Sequence, residues 1–106
     1  MTHSGRAWTV QDRYKNEVYL TWERWHQHIL VRHPEMAEFF EEVRDTVRLG
    51  RRRQDPLSPH RYRYVRWFDN LPSEEVNCIV AIVLVKTAPN ERFVVTAYLD
   101  NRVEKR

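Results

Sequence analysis

The hydrophobic residues of this chain change their spacing once, and the place of the change divides the fold. Up to Gly50 they recur at intervals of three and four: Trp22, Trp25 and Ile29, then Met36, Phe39, Phe40, Val43 and Val47. Beyond the segment RRRQDPLSP, residues 51–59, they alternate. Intervals of three and four line one stripe of a helix, whereas alternation lines one face of a strand. A chain that is helical first and extended afterwards segregates helices from sheet, which is an α+β layout. The expected order is a short β segment at Glu17 to Leu20, two helices, then a curved antiparallel sheet of three or more strands.

The helical part is divided by the stretch HQHILVRHPEM, His26 to Met36. Thr21 is an N-cap residue in front of Trp22-Glu23-Arg24. A residue before proline is pushed out of the α region, so the first helix should end near Arg32 and Pro34 should open the second. His33 is then a hinge. On the first helix Trp22, Trp25 and Ile29 form the core stripe, and Arg24, His28 and Arg32, four apart, form a polar line beside it. The second helix keeps its acids off the apolar stripe, and Gly50 is expected to end it in the left-handed conformation.

In the extended part, RRRQDPLSP reads as a basic loop. Tyr62, Tyr64, Arg66 and Phe68 share one face of the next strand, with Arg61, Arg63, Val65 and Trp67 on the other. Cys78 to Lys86 is apolar on both faces, as a central strand is. A turn at 88–91 leads into FVVTAYLD, where Phe93, Val95, Ala97 and Leu99 alternate with Val94, Thr96 and Tyr98. The first set packs on the helices; Thr96 and Tyr98 are left to floor a ligand site.

A length of 106 residues supports one domain, 1–106, with about 16 residues at the start and about five at the end outside the core elements and free to be flexible. The start carries no apolar signal core, and the longest apolar run, Cys78 to Val85, is too short to cross a bilayer. A single cysteine makes no internal disulfide. The expectation is a cytoplasmic protein with no membrane association.

The net charge of +3 conceals a division. Between Pro34 and Val47 lie Glu35, Glu38, Glu41, Glu42 and Asp45 against Arg44. Between Arg48 and Arg66 lie seven arginines against Asp55. Dense arginine interleaved with tyrosine suits a phosphate backbone, because guanidinium clamps phosphate oxygens and phenol rings stack on bases; a solvated arginine loop has the same composition. Three chemistries fit the histidines. Metal binding is the weakest, since His26 and His28 point away from each other on a helix and no HExxH or paired CxxC is present. General acid–base cleavage of RNA is the second: His28 and Arg32 sit one turn apart, with Tyr64, Arg66, Lys86, Thr96 and Tyr98 approaching from the sheet. Plain binding of a nucleic acid or an acidic partner is the third, and patterning does not separate it from the second.

The series HIL-V-RHPEM, an acidic amphipathic helix, a basic linker, YRYVRWF, VLVK and FVVTAYL resembles the phage-type members of the barnase–EndoU–colicin E5/D–RelE superfamily, over roughly Val18 to Asp100. The resemblance implies a helical pair on a curved sheet whose open face binds RNA, and a toxin-like ribonuclease that needs no metal or cofactor and forms 2′,3′-cyclic phosphate. It implies single-stranded or looped RNA as the substrate and an antitoxin or immunity protein as a partner. His28, Arg32, His33, Thr96 and Tyr98 match its motifs as catalytic candidates, His33 either as a second proton carrier or as a helix cap. Tyr64, Arg66 and Lys86 stand as supporting candidates. Arg51, Arg52, Arg53, Arg61, Arg63 and Tyr62 are the candidates for holding RNA. The lysine-rich helix of many RelE-type toxins is absent, which argues against dependence on the ribosome. A non-catalytic RNA-binding or protein-interaction module of the same fold is the alternative.

Overall fold

The strand that is apolar on both faces organises the sheet. In the computed structural model, which describes residues 5–88 and 90–103, strands β1 (Arg6–Gln11), β2 (Glu17–Thr21), β3 (Arg51–Asp55), β4 (Ser58–Trp67), β5 (Cys78–Thr87) and β6 (Asn90–Asp100) form one sheet in the order β1-β2-β6-β5-β4-β3. β5 lies between β4 and β6 and is buried from Cys78 to Val83. The fold class is α+β as expected. Neighbouring strands are antiparallel except β2 and β6, which meet in parallel at one pair, Tyr19 with Phe93.

Two strands were not legible as such. Residues 6–11, part of the polar start, form β1 and pair with β2. Arg51–Asp55, read as loop, is edge strand β3, paired along β4 from Arg51 with Val65 to Asp55 with Ser58. Asp55 shapes the tight turn by accepting the Leu57 N–H at 2.9 Å. The turn expected at 88–91 falls where Thr87 pairs with Asn90, and Pro89 lies outside the described residues, as do residues 1–4 and 104–106.

The first helix occupies residues 22–32. Thr21 caps it, accepting the Arg24 N–H at 3.1 Å. It is not uniformly α: Trp25–Ile29 forms a π turn, and the Leu30 N–H donates to the Trp25 carbonyl. Trp25 and Ile29 are buried, but Trp22, expected in their stripe, is 40% exposed. It lies over Phe40 at 5.3 Å and against His26 at 5.7 Å, lidding the helix pair from outside. The helix ends at Arg32, as Pro34 requires. Pro34–Phe39 then runs as a 3₁₀ segment before the second helix, Phe40–Leu49. Met36, Val43 and Val47 are fully buried, whereas Phe39 and Phe40 are half-buried beside them.

Gly50 ends that helix without the left-handed turn expected; its backbone is extended. Glycine is needed there for space, because an added Cβ would run into the Thr46 carbonyl oxygen and come within 2.8 Å of the Val65 carbonyl oxygen.

The sheet has two different faces. Tyr64, Ile79, Ala81, Val83, Val94 and Ala97 pack under the helices with Trp25, Ile29, Met36, Val43 and Val47. Val65, Val80, Ile82, Val95, Tyr98 and Trp67 cluster on the opposite face. A bulge in β6 produces part of this: Ile82 pairs with Thr96 and Val83 with Val94, leaving Val95 as the extra residue. Val95, expected under the helices, is therefore turned to the open face.

Candidate acid–base cleft and basic face

The first helix reaches the open face because β2 leaves β6 early. After Tyr19 and Phe93 no further β2–β6 pair forms, the chain turns at Thr21, and the first helix packs beside β6 in place of a strand. The side of the helix nearest the open face carries Arg24, His28 and Arg32. With His33 at the corner, they face Val95, Thr96 and Tyr98 across a cleft of about 440 Å³. Five residues singled out from sequence, His28, Arg32, His33, Thr96 and Tyr98, thus line one cavity although the first three and the last two are far apart in sequence.

The polar line of Arg24, His28 and Arg32 survives the π turn, since residues four apart stay on one side of a helix whose turn widens from 3.6 to about 4.4 residues. The imidazole of His33 lies 5.7 Å from the Tyr98 ring, tilted by 32°. Its Nδ1 is 3.8 Å from a Glu35 carboxylate oxygen, an ion pair when the imidazole is protonated. The His33 N–H also donates to the Ile29 carbonyl at 2.7 Å, and its own carbonyl accepts the Met36 N–H at 3.0 Å, so the same residue closes one helix and starts the next. His28 and Arg32 are exposed and His33 is half-buried. Two imidazoles, two guanidinium groups, a hydroxyl and a phenol line the cleft, with no carboxylate among the described lining residues.

Tyr98 also belongs to a second cleft of about 230 Å³, bounded by Arg53, Arg61 and Arg63 with Ile82. The open face is therefore basic on both sides of Tyr98, from the first helix on one side to β3 and β4 on the other. Asp55 is the acidic residue at the rim of the second cleft.

Other candidates lie elsewhere. Tyr64 is on the helix side of the sheet, 1% exposed, and its hydroxyl donates to Asp12 Oδ2 at 2.5 Å. Burial, then the Asp12 carboxylate, pushes its phenol far above the usual tyrosine range, against the opposing influence of Arg52. Arg66 lies over Phe68 at 5.4 Å and borders a separate hollow with Arg13 and Trp67. Lys86 is exposed near the β5–β6 turn, opposite Glu91. None of the three lines the cleft.

Arg52, expected to hold RNA, is engaged within the fold. Its guanidinium is 3.7 Å from the buried Asp12 carboxylate and stacks near Tyr14 at 4.2 Å and Tyr62 at 4.8 Å. Arg51, Arg53, Arg61 and Arg63 line the outer side of the basic surface. Arg24 and Val95 were not among the site residues expected from sequence; the four-residue spacing to His28 points to Arg24, and nothing local signals the bulge that presents Val95. Among the described residues no three His, Cys, Asp or Glu side chains gather as a metal-ligand set.

No protein-family model, curated protein or solved structure matches the chain. No helix among the described residues is long and apolar enough to cross a membrane.

Proposed function

We propose that the protein is a metal-independent endoribonuclease, toxin-like in character, that acts on single-stranded or looped RNA in the cytoplasm. The observation that carries this reading is the meeting of His28, Arg32 and His33 with Thr96 and Tyr98 in one cleft that opens onto a basic sheet face. The likeness of the sequence motifs to the barnase–EndoU–colicin E5/D–RelE superfamily supports the same reading.

RNA cleavage of this type needs a base, an acid and cations around one phosphate. One imidazole, neutral, takes the proton from the 2′-hydroxyl. The freed 2′-oxygen attacks phosphorus, and Arg32 with Arg24 holds the charge that builds on the phosphorane oxygens. The second imidazole, protonated, gives its proton to the departing 5′-oxygen, and the products end in a 2′,3′-cyclic phosphate and a 5′-hydroxyl. His28 and His33 are the two proton carriers of the cleft, with the Glu35 carboxylate 3.8 Å from His33 Nδ1, and Thr96 and Tyr98 donate hydrogen bonds that orient the phosphate. An antitoxin or immunity protein would act by covering this cleft.

The deciding experiment incubates RNA with wild-type protein and with His28→Ala in EDTA. Fragments bearing 2′,3′-cyclic phosphate with the wild type and intact RNA with the variant are expected. Intact RNA with both, together with measurable RNA binding, would make the protein a binding module of the same fold.

A further inference from the structure

The cleft accounts for one side of the open face only. On the far side Arg53 and Arg63 border both the hollow next to Tyr98 and another of about 270 Å³, where Trp67 and Tyr14 join them. Trp67 is half-buried against Val65, Val80 and Ile82, and its Nε1–H points to the Arg102 carbonyl at 3.5 Å. An indole anchored in this way presents a ring that is already ordered, so a base stacking on it costs little side-chain entropy. Arg53 is exposed and Arg63 half-exposed beside it. Aromatic surface next to guanidinium is the combination that holds single-stranded nucleic acid.

We infer that Arg53, Arg63 and Trp67 form a second RNA subsite, separate from the acid–base cleft, which holds the nucleotides flanking those in the cleft and makes the protein select oligonucleotides over dinucleotides. The inference rests on the proposed RNA substrate but not on its cleavage. From β6 to β3 there are three strand steps, about 14 Å in all. A stacked strand advancing about 3.4 Å per nucleotide needs about four nucleotides to cover that distance. Shorter RNA occupies the cleft alone. Tyr98, which borders both clefts, is where the strand crosses from one to the other.

The test is fluorescence anisotropy with labelled 2′-O-methyl oligonucleotides of two to ten residues, which bind but have no 2′-hydroxyl to react. Wild-type affinity should rise steeply up to about four or five nucleotides and then level off. In Arg53→Gln/Arg63→Gln the gain with length should fall about tenfold, dinucleotide binding should stay the same, and the log–log salt slope should shrink by about 1.4, for two lost phosphate contacts. Trp67→Leu should lower decamer affinity about tenfold at an unchanged salt slope. Both arginines are on the surface, so the double variant folds even if the tryptophan variant does not; circular dichroism checks each. On cleavable RNA the double variant should raise KM with kcat held. Length dependence that survives in the double variant overturns the subsite, as does a wild type that binds no oligonucleotide. Binding with the predicted length dependence but no cleavage leaves the subsite standing and removes the ribonuclease reading.

Discussion

The Tyr64 hydroxyl donates to Asp12 Oδ2 at 2.5 Å and thereby joins the β1–β2 turn to a strand near the opposite edge of the sheet. Asp12 holds its own turn as well, accepting the Tyr14 and Asn16 N–H groups at 2.8 Å each. Arg52 approaches the same carboxylate, and the Tyr14 hydroxyl accepts the Arg52 N–H on β3 at 3.2 Å. A flat six-stranded sheet does not bring these edges together, so the contacts require the sheet to curl around the second helix.

Tyr64→Phe should cost about 1–3 kcal/mol near neutral pH, because the Asp12 carboxylate stays buried with one donor fewer. The raised phenol adds a pH signature. The folded chain keeps the Tyr64 proton where the unfolded chain has lost it, so this stabilisation is complete below about pH 10 and declines as pH rises beyond it. Urea unfolding at pH 7, 9 and 10.5 should show a weaker alkaline decline in the variant than in the wild type. Parallel declines would mean that Tyr64 makes no such contribution.

His28→Ala should lower RNA cleavage at least about 100-fold, the usual contribution of a positioned acid or base. Affinity for uncleavable RNA should stay within a few-fold, since the arginines supply the phosphate contacts. Product analysis by gel together with anisotropy separates the two effects, and cutting that continues undiminished would remove His28 from the mechanism.

Gly50→Ala should destabilise by about 1–3 kcal/mol, a steric cost, because the backbone there is extended and the obstructing atoms are main-chain carbonyls that have little room to shift. A denaturant midpoint equal to that of the wild type would contradict the close approach of β4 to the helix end.

Thr21→Ala removes the cap of the first helix, worth about 1 kcal/mol. Since that helix carries Arg24, His28 and Arg32, the loss should also appear as faster hydrogen exchange over residues 22–32 than over the second helix. Uniform exchange in both helices would indicate that the cap is not what holds the segment in place.

Expression of the wild type in a bacterial host should slow growth, and His28→Ala should relieve the effect at equal protein level. Normal growth with abundant soluble wild type would count against a free-standing toxin.

The sequence carried the helix boundary at Pro34, the central strand and the polar line of Arg24, His28 and Arg32, because each follows from a short-range rule: the geometry before proline, unbroken apolar composition, spacing by four. β3 was hidden because RRRQD has no alternation; an edge strand built only of polar and charged residues has no apolar set to alternate, and its pairing with β4 is decided by tertiary context. Tyr64 was sorted correctly by period but onto the wrong side of the sheet, since alternation separates two faces without saying which one the helices cover. Its partner Asp12 is 52 residues away and has no local mark. The bulge at Val95 was equally silent.

The parallel contact of Tyr19 with Phe93 joins segments 74 positions apart, and the cleft next to it is made of residues 24–33 and 95–98. During synthesis the helix side of the cleft leaves the ribosome well before the strand that completes it. Pairings of such long range close late in folding. A nascent chain therefore keeps the imidazoles and guanidinium groups of residues 24–33 apart from Thr96 and Tyr98 until β6 docks, and the two walls of the cleft exist separately before they exist as a site.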